Sequence, residues 1–225
     1  MTDVLVHGEQ VSRVYGTGDA AVTALREATF TIPARARIAV VGPSGSGKST
    51  LLHLIAGIDR PTRGRLAWPG LPDGQPLRPG FVGMAFQGLS LLPQLDIAEN
   101  VALPLILGGA PSRHAITEAR AMLADFALAA VADKLPEQVS GGQAQRAAVA
   151  RAVVGAPLLI IADEPTGQQD QGTARALLDE LSACADRLGA ALLVATHDEA
   201  VAARFPIRWT LVDQRLHVEE SLSSR

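Results

Sequence analysis

The stretch Gly42-Pro43-Ser44-Gly45-Ser46-Gly47-Lys48-Ser49-Thr50 carries the strongest chemical signal in the chain. It follows the apolar run Ile38-Ala39-Val40-Val41 and precedes Leu51-Leu52-His53-Leu54-Ile55. That order reads as strand, glycine-rich loop and helix, and the spacing G-x-x-x-x-G-K-[ST] is that of a phosphate-binding loop. Gly42, Gly45 and Gly47 open backbone conformations closed to other residues, so several N–H groups can converge on one anion. A helix starting near Lys48 aims its positive dipole end at the same point. Lys48 is a mobile point charge suited to the outer phosphates, and the Ser49 hydroxyl is placed to hold Mg²⁺. Lysine is scarce here: Lys48 and Lys134 are the only two among 20 Lys and Arg residues, so a lysine at this position is hard to assign to chance.

A second motif supplies carboxylates. Leu158-Leu159-Ile160-Ile161-Ala162 is continuously apolar, as in a strand buried on both faces, and it ends on Asp163-Glu164. Ligands of parallel sheets gather at the carboxyl ends of strands. There Asp163 would face a Mg²⁺ shared with Ser49, and Glu164 would polarise a water in line with a γ-phosphate. Two acids at a strand end more often only face water, and it is the phosphate loop elsewhere in the chain that favours the catalytic reading. His197 follows a similar strand, Leu192–Thr196, and can donate a hydrogen bond to the γ-phosphate. His7, His53, His114 and His217 lack such a setting. Tyr15, the one tyrosine, stands just before Gly16 and is either edge packing or a flat surface for a purine ring.

These residues must be positioned by a core, and 225 residues with 48% apolar content can bury one. The net charge of −3 gives no basic footprint for nucleic acid. Cys184 stands alone, so no disulfide framework is expected. The start of the chain lacks the pattern of a secretory signal, and no apolar run reaches the length of a membrane span, so a soluble chain is expected.

Strands are expected at Val4–Tyr15, Ala21–Leu25, Thr29–Ile32, Leu66–Trp68, Phe81–Phe86 and Ala190–Thr196, with a terminal hairpin of Trp209–Val212 and Arg215–Val218. The proline-rich stretch 60–80 reads as a short strand followed by an exposed loop. Helices are expected over Ile97–Leu107 with a break at Pro104, from a Ser112 cap to about Leu128, from a Ser140 cap to about Val154, and over Thr173–Leu188. Strands alternating with helices after the phosphate loop imply a parallel sheet. Leu89, Leu91, Leu92 and Leu95 crowd together after Gln87, either as core or as an apolar groove for a partner helix.

With Gln87, Val139-Ser140-Gly141-Gly142-Gln143, Asp163-Glu164 and His197 in this order, the chain resembles an ATP-binding-cassette (ABC) ATPase over essentially its whole length. The run Arg146-Ala147-Ala148-Val149-Ala150-Arg151-Ala152 matches as well, whereas the family signature usually opens on leucine where Val139 stands. Ser140 with the Gly141 and Gly142 amides, at a helix N-terminus, makes a second anion site. The resemblance implies that this site, with Gln143, binds the ATP held by a partner subunit. It also implies that Tyr15 stacks on adenine, that Gln87 senses Mg²⁺ and the γ-phosphate, and that Asp170 lies in the loop joining two subunits. His197 would be the switch histidine. The phrases Leu51–Thr62, Phe86–Pro93 and Glu99–Leu105 look like the MacB/LolD-type ATPases, which work with permeases of four membrane spans. Two departures stand out: the segment 64–87 is short and proline-rich, and Gln169 occupies a usual leucine position.

The expected architecture is an α/β P-loop NTPase cassette of one domain, 1–225. Its RecA-like core lobe takes in about 1–87 and 155–225 with N-terminal antiparallel strands, and a helical signature lobe spans about 88–154. The expected activity is ATP hydrolysis by a dimer around two ATP, with Mg²⁺. The expected partners are a second ATPase subunit and a transmembrane permease at the cytoplasmic face of the membrane, with no nucleic acid. Two rivals are a soluble cassette acting on nucleic acid, which usually carries coiled-coil, zinc or tandem-cassette additions, and a degenerate cassette serving as a nucleotide-gated scaffold. The chain shows none of those additions, and Lys48, Asp163, Glu164 and His197 are all present.

Overall fold

The computed structural model describes residues 3–77, 80–88, 90–166 and 171–220. The chain divides into two compact units, Met1–Leu77 with Ala191–Arg225, and Arg78–Ala190.

The first unit is built on strands β1 (Val4–Tyr15), β2 (Val22–Pro33), β3 (Arg37–Val41), β4 (Arg63–Ala67), β7 (Ala191–Thr196), β8 (Ile207–Val212) and β9 (Arg215–Glu220). The second unit contributes β5 (Val82–Ala85) and β6 (Leu159–Asp163). In the first unit the hydrogen-bonded order is β4-β1-β2-β9-β8-β3-β7. β1 pairs antiparallel with β2 and with β4, whereas β3 pairs parallel with both β7 and β8. β8 and β9 form the expected antiparallel terminal hairpin. Ile38, Ala39, Val40, Val41 and the whole of β7 are buried, which is why both read as unbroken apolar runs. Phe30 of β2 and Trp209 of β8 meet at 5.2 Å between ring centroids with their planes inclined by 51°, closing the core between these strands. Helix α1 (Lys48–Ile55) packs on β2 and β7.

Two expectations about this unit are corrected. The two short strand pieces at Ala21–Leu25 and Thr29–Ile32 are one strand, β2. The interruption is a bulge: Glu27 has φ 45° and its N–H donates to Ser12 Oγ at 2.9 Å, so pairing with β1 resumes beyond it. The proline-rich loop after β4 is only partly exposed. Leu71 is buried, and Trp68 Nε1 donates to the Ile55 carbonyl at 2.8 Å, stapling the loop to the end of α1.

The second unit packs helices α2 (Ile97–Leu107), α3 (Ser112–Asp125), α4 (Gly141–Val153) and α5 (Gln171–Leu188) with the parallel pair β5 and β6. The short helix α6 (Glu199–Ala202) belongs to the first unit, where Ala202 packs on Ala39 and Val41. α4 lies against β5 so closely that a side-chain carbon on Gly83 would overlap the Ala152 carbonyl oxygen. α2 is not broken at Pro104. Pro104 removes one intrahelical bond, the one its N–H would give to the Asn100 carbonyl, yet the helix continues until Gly108 donates to the Pro104 carbonyl at 3.0 Å. Ser112 is not the cap of α3; the Pro111 carbonyl already accepts from Ala115, so the cap lies one residue earlier. Ser140 does cap α4.

Candidate active site

In the first unit, β3 and β7 pair in parallel with Val41 opposite Thr196. Gly42 and His197 therefore leave the sheet at the same level, on adjacent strands, at the carboxyl edge where ligands of such sheets bind. Side chains are excluded from this loop at two points. A Cβ on Gly42 would strike the Leu211 carbonyl oxygen, and one on Gly47, at φ 104°, would strike that of Ala24. Ser46 N–H donates to the Pro43 carbonyl at 3.2 Å, closing a tight turn whose tip, Pro43-Ser44-Gly45, is exposed.

Helix α1 starts directly behind this turn, with Gly47 as its N-cap and no side chain capping it. Its first amides and its dipole are thus presented toward the loop. Lys48 is buried, and its Nζ donates to the Gly42 carbonyl at 2.8 Å and the Pro43 carbonyl at 3.1 Å, holding the ammonium against the loop. Ser46 Oγ is buried with no hydrogen-bond partner among the described residues, which suits a phosphate oxygen as its acceptor. Ser49 and Thr50 are half-buried in the first turn of α1, and His197 is exposed. The loop thus has the cradle, the cation and the donors that a polyphosphate needs.

Tyr15 ends β1 and is 39% exposed. Its hydroxyl donates to Asp59 Oδ2 at 2.8 Å, and Arg13 stands over its ring. Neither Arg13 nor Asp59 was singled out from the sequence. The available signal was Arg13 at two positions before Tyr15 on one strand, which places both on the same face.

In the second unit, β5 and β6 run parallel with Ala85 opposite Ala162. Gln87 and Glu164 each lie two residues beyond this pair, and Gln87 Nε2 donates to Glu164 Oε2 at 3.0 Å. Asp163 is the last residue of β6 and is 2% exposed. Glu164 has φ 46°, a left-handed conformation that a side chain disfavours and that clusters at functional sites. Among the described residues no three His, Cys, Asp or Glu side chains form a ready metal cluster. Mg²⁺ in phosphate chemistry needs only one or two carboxylates or hydroxyls besides phosphate oxygens, and the Ser49 hydroxyl of the first unit and the Asp163 carboxylate of the second are each a donor of that kind.

The signature residues sit at the start of α4. Ser140 Oγ accepts from Gln143 N at 3.3 Å while Gln143 Oε1 accepts from Ser140 N at 2.9 Å, a reciprocal capping box. Gly141 and Gly142 have open space where a Cβ would stand, so an approaching ligand meets backbone there. At the other end of α4, Arg151 donates to the Ser90 carbonyl at 2.7 Å and to Ser90 Oγ at 2.5 Å. Burial pulls the Arg151 guanidinium below its ordinary pKa. Asn100, also missed from the sequence, is fully buried and holds the stretch after Ser90 through Leu92 N, Leu92 O and Leu95 O. The spacing Asp96-Ile97-Ala98-Glu99, a capping box in the structure, was the legible signal beside it. Leu91 and Leu95 are half-buried and Leu92 is exposed, so this cluster is not a closed core; Leu89 lies outside the described residues. Asp170 and Gln169 also lie outside them.

Comparison with known proteins places this geometry. Residues 25–167 match the family described as ABC transporter. The chain is 36% identical to the lipoprotein-releasing system ATP-binding protein LolD of Legionella pneumophila (strain Paris), over 98% of this chain and 100% of that protein. LolD of Shewanella oneidensis is 35% identical over 98% of this chain and 99% of the relative. Among solved structures, the ATP-binding cassette MJ0796, a dimer bound to ADP and Pi, superposes with a TM-score of 0.89 at 31% identity, covering 98% of this chain and 100% of that one. The expected α/β cassette fold is thereby established, and the chain belongs to the ABC transporter family of ATP-binding proteins, with the activity of an ATPase.

Proposed function

We propose that this chain is the ATP-hydrolysing subunit of a transporter of the lipoprotein-releasing type, working as a dimer at the cytoplasmic face of a membrane and driving a permease. Tyr15 stacks on adenine; Gly42 through Thr50 hold the phosphates, with Lys48 on the outer ones. Ser49, Gln87 and Asp163 are the residues that would hold Mg²⁺, which supplies charge neutralisation at the transferring phosphoryl group. Glu164 orients the attacking water and His197 donates to the γ-phosphate. Ser140, Gly141, Gly142 and Gln143 meet the ATP of the partner subunit, and Asp170 belongs to the contact between subunits. The permease is recognised by the helical part of the chain, about 88–154.

The observation that carries this reading is the Gln87–Glu164 hydrogen bond at the paired ends of β5 and β6. It ties the general-base candidate to the start of the segment 87–95, where Leu92 is exposed beside the half-buried Leu91 and Leu95. A helix from a permease would bury these apolar side chains. No helix among the described residues is long and apolar enough to cross a membrane, so membrane attachment requires such a partner in this reading. Affinity purification of the tagged chain from detergent-solubilised membranes tests it. A multi-spanning membrane protein should co-purify, and Leu91→Asp should lose it while keeping basal ATPase activity. Recovery of nucleic acid instead, or Leu91→Asp chains that fail to fold, would contradict the permease reading.

A further inference from the structure

Tyr15 is the flat surface that the proposed reading gives to adenine, and two other residues fix that surface in place. Arg13 lies two positions earlier on β1, so both side chains project from one face. The Arg13 guanidinium carbon stands 4.5 Å from the centroid of the Tyr15 ring. Arg13 Nε donates to Asp59 Oδ2 at 2.8 Å, and the Tyr15 hydroxyl donates to the same oxygen at 2.8 Å. The other carboxylate oxygen, Asp59 Oδ1, accepts the Arg60 N–H at 2.7 Å.

Asp59 is itself anchored. It lies just beyond α1, and the N–H groups of Ile58 and Asp59 both donate to the His53 carbonyl, at 3.0 and 3.2 Å. Since α1 begins at Lys48, one short helix links the phosphate loop at its first residue to the carboxylate that holds the tyrosine beyond its last. Burial raises the Asp59 pKa, but the Tyr15 hydroxyl, the Arg60 amide and Arg13 together bring it below the ordinary carboxylate range. Asp59 is thus an ionised, acceptor-only group, and the phenol must donate to it. The ring is held by its hydroxyl and covered on one face by a cation, while Tyr15 stays 39% exposed.

We infer that Arg13 and Asp59 are positioning residues for the nucleobase: they lock the Tyr15 ring so that its remaining face receives the purine of ATP. Locking removes rotamer freedom that the ring would otherwise lose on stacking. The clamp contacts the ring and not the edges of the base, so it favours a planar purine without choosing between adenine and guanine. The inference rests on the assignment of Tyr15 to adenine, and the test separates the two.

The β,γ-imido analogue of ATP and inorganic tripolyphosphate, each with Mg²⁺, are titrated calorimetrically into the parent, Arg13→Ala, Tyr15→Ala and the double variant. Tyr15→Ala should weaken the nucleotide about tenfold, the worth of one stacked base. Arg13→Ala should weaken it about fivefold, because the freed ring must then be ordered on binding. The double variant should bind no more weakly than Tyr15→Ala alone, and tripolyphosphate should be unaffected throughout. In steady-state hydrolysis Arg13→Ala should raise KM and leave kcat in place, and Arg13→Lys should recover part of the loss. Asp59→Asn, which keeps an acceptor for the phenol, should fall between parent and Arg13→Ala and controls for local unfolding.

Equal losses from Arg13→Ala with and without Tyr15 would mean that Arg13 does not act through the ring, and would overturn the inference alone. Tighter nucleotide binding by Arg13→Ala would place the guanidinium on the face the base uses, which also overturns it. An unchanged affinity in Tyr15→Ala would remove the adenine assignment and the inference with it.

Discussion

The Gln87 side-chain amide donates to the Glu164 carboxylate at 3.0 Å across the ends of two parallel strands, joining residues 77 positions apart in the chain. The strand register puts them level: Ala85 pairs with Ala162, and each side chain lies two residues further on. A residue that orients the base, and does not itself bind the bulk of the nucleotide, should act on turnover more than on affinity. Gln87→Ala should therefore lower kcat by about tenfold or more, as lost orientation of a catalytic group does, with nucleotide affinity nearly unchanged. Stopped-assay phosphate release and nucleotide titration on the same preparation check this.

Glu164 makes two separable predictions. Glu164→Gln keeps the shape and removes the base, so turnover should fall by about a hundredfold or more while ATP still binds. Hydrolysis near the parent rate would contradict the assigned role. The φ of 46° at Glu164 means that its backbone, separately from its chemistry, disfavours any side chain. Of two inactive variants, Glu164→Gly should be more stable than Glu164→Ala by about 1 kcal/mol, because only glycine adopts this conformation without strain. Thermal unfolding of the pair, followed side by side, measures the difference.

Gly83 has no room for a side chain against the Ala152 carbonyl. Gly83→Ala should push α4 off β5 and cost about 2 kcal/mol or more, since an overpacked backbone contact has no rotamer to escape into. A drop in melting temperature with the fold retained is the expected result. Because α4 carries Ser140 at its start and Arg151 at its end, the same change should weaken dimer-dependent activity beyond what the stability loss explains.

Much of this was legible in the sequence, for physical reasons that can be named. The strands β6 and β7 are buried throughout and β3 is buried from Ile38 onward, so they appear as apolar runs, and each leads directly to site residues. Ser140 was readable as a cap because Gln143 completes the box three residues on. Local chemistry misled in other places. Pro104 looked like a break, but the helix runs through it with the loss of a single bond to the Asn100 carbonyl. Glu27 bulges without a glycine to announce it, so β2 was read as two pieces. The Arg13–Tyr15–Asp59 cluster joins residues 44 and 46 positions apart, and only the fold brings Asp59 to β1. Leu71 is likewise buried in a loop whose prolines and glycines mark a break in regular structure and carry no sign of depth.

The central claim is that each ATP is clamped by the phosphate loop of one subunit and the Ser140 signature of the other. Counting nucleotides on isolated mixed dimers, with Glu164→Gln in every chain to prevent hydrolysis, tests it most directly. Pairing a Lys48→Ala chain with a Ser140→Arg chain concentrates both lesions in one composite site and leaves the other intact. Placing both substitutions on one chain and pairing it with a chain lacking them puts one lesion in each site. The account predicts one clamped ATP per dimer in the first pairing and none in the second. One clamped ATP in the second pairing and none in the first would show that each subunit closes its own site, and would contradict the account.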